Sequence, residues 1–246
     1  MPHRIFSLEE VAEYLHLGAE DVRALARDGD IPHEKRGSRL VFPRAAVDAW
    51  ASQRILGMGS ERVAAYHSRA RAPSAAAHGL AGLVEDAFMA PALAPRTKAS
   101  ALRDLAAVAE RTGLVHDPKA LVESLVEREA LCSTGLPGGL AIPHPRHHHP
   151  WLFARSFLVV GRCAQAIPFG SPDRRPTDLL FLLCCQDDRL HLRTLARLCL
   201  LAQQTPLLEN LRAAPDGPAM REALLAAERE ALAAAPPSRP PKGRPL

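Results

Sequence analysis

The sequence predicts two domains: a small, mostly helical winged helix-turn-helix over residues 1–56, then a larger α/β domain, with a mixed sheet and flanking helices, over 79–233. Three observations carry this. Two short helical periodicities and a basic hairpin fill the first segment. An irregular stretch, GMGSERVAAYHSRARAPSAAAH, follows at 57–78 and reads as a linker, although ERVAAYHSRARA holds no breaker and can extend the preceding helix. Beyond it, helical periodicities alternate with short apolar runs, the pattern of a layered α/β domain. The Pro-rich basic tail at 234–246 is expected to be disordered.

Ser7 before LEEVAEYL forms a capping box with Glu10, and Leu8, Val11, Ala12 and Leu15 fall on one face. Gly18 breaks that helix. A second runs from about Ala19 to Asp28 with Val22, Leu25 and Ala26 as its apolar face, and GDIP ends it. HEKRGSRLVF alternates around Gly37 as a hairpin, and Pro43 stands near the first turn of a further helix, RAAVDAW. In the large domain, helices are expected at about 98–112, 118–129, 189–204, 207–213 and 218–233. Strands are expected at GLAI, SFLVVG and DLLFLLCC, and AFMAPAL is a short apolar segment before the first helix.

With 246 residues, 47% of them apolar, the chain can bury two modest cores. No apolar run reaches membrane-spanning length and the N-terminus lacks a signal-peptide core, so a cytoplasmic protein without membrane partners is expected. Five cysteines without a C-x-x-C pair read as reduced thiols, with Cys184 and Cys185 as core filling. The net charge of +4 does not by itself imply nucleic acid.

The order IFSLEEVAEYLHL, AEDVRALARDGDIP, GSRLVFPRAAVDAW resembles the excisionase and MerR-like DNA-binding family. DNA is therefore an expected partner, contacted by Arg23 and Arg27 of the second helix and by Lys35, Arg36, Arg39 and Arg44 around the hairpin. Against it, residues 1–56 carry eight Lys/Arg and nine Asp/Glu, and phosphate attraction dominates DNA affinity. Use of the fold for protein contacts is the alternative.

The stretch AIPHPRHHHP holds four histidines of two kinds. His147, His148 and His149 are adjacent in a loop, where consecutive side chains diverge. They read as solvated surface, with a zinc or nickel site as the alternative. His144 instead follows a strand and sits between two prolines. Upstream lies STGLPGG, whose amides can approach an anion, and Arg128 ends the preceding helix. That setting suits a phosphoryl acceptor, although a lone loop histidine is more often plain polar surface.

The run EREALCSTGLPGGLAIPHPR, Glu127 to Arg146, resembles the active-site segment of phosphotransferase-system IIA domains of the fructose/mannitol type, and most of all the nitrogen-regulatory branch. The likeness continues through TGLVHDPKALVESLVEREA, AIPFGSPDRRPTDLLFLL and LHLRTLARLCLLAQQTPLLENLRAA, about residues 80–232. It implies that His144 takes phosphate from a histidine-containing phosphocarrier protein, that His191 is the second active-site histidine, and that Arg128 lies beside the phosphohistidine. His191 would fall in the first turn of a helix capped by Asp187 or Asp188, where free amides favour a phosphate. Ser133, Thr134, Gly135 and Arg146 complete the expected phosphate-binding set. No metal, nucleotide or other cofactor is needed for such an exchange.

The sequence departs from the family at Pro145, where a glycine is common, at Gly138, where an Asn is usual, in the His-rich insertion, and at RRPTDL. The expected function is a DNA-binding regulator with a phosphoacceptor IIA domain, serving signalling rather than sugar transport, with a regulated target protein as a further partner. The alternative is a DNA- or partner-binding protein whose IIA fold has lost phosphotransfer.

Overall fold

The computed structural model describes residues 5–15, 17–37, 39–69, 79–146 and 151–234. His147–His149 and the tail from 235 lie outside the described residues, and with them the metal alternative and the expected disorder.

The N-terminal unit opens with β1 (Ile5–Phe6) and α1 (Leu8–Leu15). The capping box is present: Glu10 N donates to Ser7 Oγ at 3.2 Å, and Ser7 N to Glu10 Oε2 at 2.7 Å. A short turn leads to α2 (Ala19–Arg27), then to the hairpin β2 (Glu34–Arg36) and β3 (Arg39–Pro43). All three strands are antiparallel, in the order β1-β3-β2. Helix α3 (Arg44–Leu56) starts directly after Pro43, whose fixed φ suits a helix start. A break at Gly57–Gly59 separates it from α4 (Ser60–Arg69), so part of the expected linker is a distinct helix rather than a continuation of α3. Its Val63 is fully buried.

The second unit is a five-stranded mixed sheet in the order β4-β7-β8-β6-β5. β4 (Met89–Leu93) runs parallel to β7 (Phe157–Ile167), which is antiparallel to β8 (Thr177–Cys184). β6 (Leu140–Ala141) is parallel to β8 and forms a hairpin with β5 (Gly135–Leu136). α5 (Lys98–Arg111) and α6 (Pro118–Leu131) precede that hairpin; α7 (Asp188–Gln204), α8 (Leu207–Ala213) and α9 (Gly217–Ala234) follow β8. Gly161 of β7 admits β4, because a Cβ there would lie 2.4 Å from Leu93 Cδ1.

Strand β8 is buried along nearly its whole length, as its continuous apolar run requires. Cys163, Cys184, Cys185 and Cys199 lie in this core and Cys132 is partly exposed; all five are free thiols. Burial pushes the Cys163 thiol up to about 11 and Cys199 up to about 12, so both stay neutral thiols at physiological pH.

Helix α7 is buried on nearly every side, and His191, Thr194 and Arg197 are buried in it beside its leucines. One side packs on β8 and α9, and the other is covered by α3 and α4 of the N-terminal unit. Within its buried length Arg197 Nη1 pairs with Glu228 Oε1 at 2.6 Å, both side chains 8% exposed, while the same carboxylate accepts from Leu80 N at 3.0 Å. Breaking a buried pair leaves an uncompensated charge. Arg197→Met is expected to lower the unfolding free energy by about 3–5 kcal/mol in urea titration. A change below about 1 kcal/mol would mean that water reaches Glu228.

Candidate functional site

β6 and β8 are neighbouring parallel strands, and ligands in α/β sheets bind beyond the C-terminal ends of such strands. Each strand delivers one histidine there. Past β6, the chain continues through Ile142 and Pro143 to His144, pinned beside β8 by Leu183 N donating to Pro143 O at 3.0 Å. Past β8, Asp187 caps α7 by accepting from Leu190 N at 2.8 Å, which sets His191 in the first turn. The two imidazole centroids are 4.7 Å apart, with planes tilted by 50°. His144 is 2% exposed and His191 fully buried.

Arg128, on the last turn of α6, is 3% exposed. Its Nε donates to His144 Nε2 at 3.0 Å and its Nη1 to Cys132 O at 3.0 Å, while Nη2 has no hydrogen-bond partner among the described residues. On the other side of the ring, His144 Nδ1 lies 2.9 Å from Ile142 O. A guanidinium only donates and a carbonyl only accepts, so these partners assign the neutral Nδ1–H tautomer with the Nε2 lone pair facing Arg128.

The remaining expected phosphate ligands are placed differently. Thr134 N and Oγ1 both donate to the Glu129 carboxylate, which also pairs with Lys98 Nζ at 2.9 Å. Ser133 Oγ donates to Phe169 O and accepts from Gly135 N, and Gly138 N donates to Asp173. Those amides and hydroxyls brace the loop. Gly139 has φ +82°, and a Cβ there would meet Arg212 Nη2 at 2.8 Å and Asp178 Oδ1 at 2.9 Å, so only glycine fits this hairpin turn. Arg146 is exposed and pairs with Glu127 at 3.5 Å. The structure thus brings His144, His191 and Arg128 together and sets Ser133, Thr134, Gly135 and Arg146 around them in other bonds.

Of the expected DNA contacts, Lys35, Arg36 and Arg39 are exposed on the hairpin. Arg23 and Arg27 are exposed on α2 and paired with Glu20 and Asp28. Arg44 is turned elsewhere: its Nε donates to Asp188 Oδ2 at 2.8 Å, with Nη2 on the same oxygen. Ser52, one face of α3 further on, places its Oγ 3.2 Å from His191 Nε2. No local pattern marks Ser52. Glu129 was within reach of sequence reading, as the second acid of the ERE triplet.

Two family descriptions match the chain. "Phosphoenolpyruvate-dependent sugar phosphotransferase system, EIIA 2" covers residues 88–226, and "Helix-turn-helix domain" covers 5–55. The chain belongs to the phosphotransferase EIIA type 2 family and carries an N-terminal helix-turn-helix domain. It is 37% identical over 145 residues to the nitrogen regulatory protein of Bradyrhizobium diazoefficiens, across 58% of this chain and 92% of that one. Against the fructose-specific EIIABC component of Bacillus subtilis it is 26% identical over 118 residues, 47% of this chain but only 18% of that longer protein. Among solved structures, the nitrogen regulatory protein IIA-Ntr of Neisseria meningitidis superposes with a TM-score of 0.53 at 25% identity, over 58% of this chain and 97% of that one. The mannitol IIA of Escherichia coli, at 18% identity and a TM-score of 0.51 over 57% and 98%, shares the fold. Among the described residues no helix is long and apolar enough to cross a membrane, and no cluster of three His, Cys, Asp or Glu is set to hold a metal.

Proposed function

We propose that the protein is a DNA-binding regulator whose IIA domain accepts a phosphoryl group on His144 from a histidine-containing phosphocarrier protein, for signalling rather than transport. The observation that carries this reading is the orientation of His144: its Nδ1–H is tied to Ile142 O and its Nε2 is turned onto a buried guanidinium beside a second histidine. The nitrogen-regulatory name of a 37% identical relative supports signalling. The helix-turn-helix match and the exposed Lys35, Arg36 and Arg39 support DNA as a target.

In the transfer, the Nε2 lone pair attacks phosphorus in line. The new N–P bond forms as the donor N–P bond breaks, its electron pair returning to the donor nitrogen. The positive charge gained by the His144 ring resides at Nδ1–H, facing Ile142 O, until that proton leaves to solvent; the donor ring takes one up from solvent. Arg128 yields Nε2 and turns onto the phosphoryl oxygens, where its uncommitted Nη2 adds a second donor. His191 positions the group from the start of α7.

Incubation with a phosphorylated histidine phosphocarrier should place one acid-labile phosphate on the protein and none on His144→Ala. Arg128→Ala should slow transfer about 100-fold, the usual cost of losing one oxyanion donor. Label retained by His144→Ala overturns the assignment. For DNA, fluorescence anisotropy on a random duplex at low salt should show Arg36→Ala and Arg39→Ala weakening binding, each lowering the salt slope by about one. Unchanged affinity in both variants would favour protein contacts as the role of the hairpin.

A further inference from the structure

The N-terminal unit sits over the two histidines. One stripe of α3 carries Arg44, Asp48 and Ser52 at intervals of one turn. Arg44 pairs with Asp188 at the start of α7, and Ser52 touches His191. Asp48 is 7% exposed and is held within its own unit, whereas Ser52, 2% exposed, is covered by His191 of the other domain. Asp48 accepts from Tyr14 Oη at 2.8 Å. Further contacts extend the seam: Arg189 Nη2 to Glu13 Oε1 at 2.9 Å, and Gln203 Nε2 to Met58 O at 3.3 Å.

Transfer between two protein imidazoles needs the acceptor nitrogen to reach phosphorus opposite the donor N–P bond, with the two rings on either side of the group. His144 is 2% exposed and His191 is fully buried with Ser52 of α3 against its ring, so α3 stands in the way of a protein donor. The seam also suits a neutral imidazole and not a phosphorylated one. Burial, and then the nearby charges of Asp48 and Asp188, push the Tyr14 phenol upward. A phosphoryl dianion next to His191 would meet the Asp188 carboxylate in the same helical turn, with the Arg44 guanidinium already committed to it.

Resting on the phosphoacceptor reading above, we propose that α3 is an intramolecular cap on the His144–His191 site, so that docking of the helix-turn-helix unit and phosphorylation of His144 exclude each other. The partner of this surface is the chain's own N-terminal domain. Opening the cap exposes the histidines to the donor and frees Arg44, the residue that stands next to the basic hairpin, from Asp188. Phosphorylation then holds the cap off.

The test uses the full-length protein and two wedge variants, Ser52→Trp at the centre of the seam and Arg44→Glu at its edge, with circular dichroism and melting to confirm folding. Transfer is timed from a phosphorylated histidine phosphocarrier and from phosphoramidate, a donor small enough to depend less on opening. If the open form is a minor state of about 10% or less, a wedge should accelerate transfer from the protein donor about tenfold or more, with a smaller gain for phosphoramidate. In parallel, amide exchange across residues 44–56 should rise when the wild type is phosphorylated. Equal protein-donor rates in wild type and both wedges overturn the cap while leaving phosphotransfer standing. Label in none of the three proteins, with either donor, overturns phosphotransfer itself and the cap with it. Should Ser52→Trp fail to fold, Arg44→Glu and the exchange measurement decide.

Discussion

Everything at the site depends on one contact, the guanidinium of Arg128 against the Nε2 lone pair of His144. Burying an arginine or an imidazole costs free energy that hydrogen bonds to its nitrogens offset. Each satisfies part of the other's need. The carbonyl of Ile142 completes the ring's partners, Cys132 O takes a second arginine donor, and one donor remains for an incoming anion. The surrounding fold then reads as support for that contact. α6 ends where Arg128 must stand, Glu129 ties the following loop down through Thr134, and the parallel β6–β8 pair aims both histidines at the same edge.

The second dependence is between domains. Helix α7 is buried on its outer side as well, where α3 and α4 cover it. The same packing lays Ser52 over His191 and draws Arg44 to Asp188. Stability and access to the histidines are therefore coupled: separating the units exposes the site and also wets apolar surface, at about 25 cal/mol per Å². Such a balance is what a switch needs, provided the polar stripe of α3 keeps the seam from becoming a permanent core.

Local signals made most of the architecture legible. Ser7 with Glu10, Asp187 before α7, and Pro43 before α3 are chain-end chemistry that operates within four residues, and each helix start stood where it was expected. His144 and Arg128 were also readable, because they share one contiguous motif of about twenty residues and the β5–β6 hairpin brings them together. β7 was harder: its apolar half was evident, but its extension to Ile167 passes through exposed Ala164, Gln165 and Ala166 and crosses a register shift after Arg162. The least legible feature was the seam. Ser52 and His191 are 139 positions apart and Arg44 and Asp188 are 144 apart. No periodicity reports such pairs, and Arg44 beside a basic hairpin pointed to DNA. The one available hint was the stretch Leu195–Ala202 of α7, in which Arg197 is the only charged residue.

The central claim is that His144 is held as the Nδ1–H tautomer with Nε2 as the nucleophile. Long-range 15N–1H correlation of the imidazole nitrogens tests it directly, at about pH 8, where ordinary imidazoles are neutral. Assigned by comparison with His144→Gln, the His144 ring should show a protonated Nδ1 and an unprotonated Nε2, with the Nε2 resonance shifting in Arg128→Ala. A protonated Nε2 in the wild type would contradict the account, because the lone pair that takes the phosphoryl group would then face Ile142 O instead of Arg128.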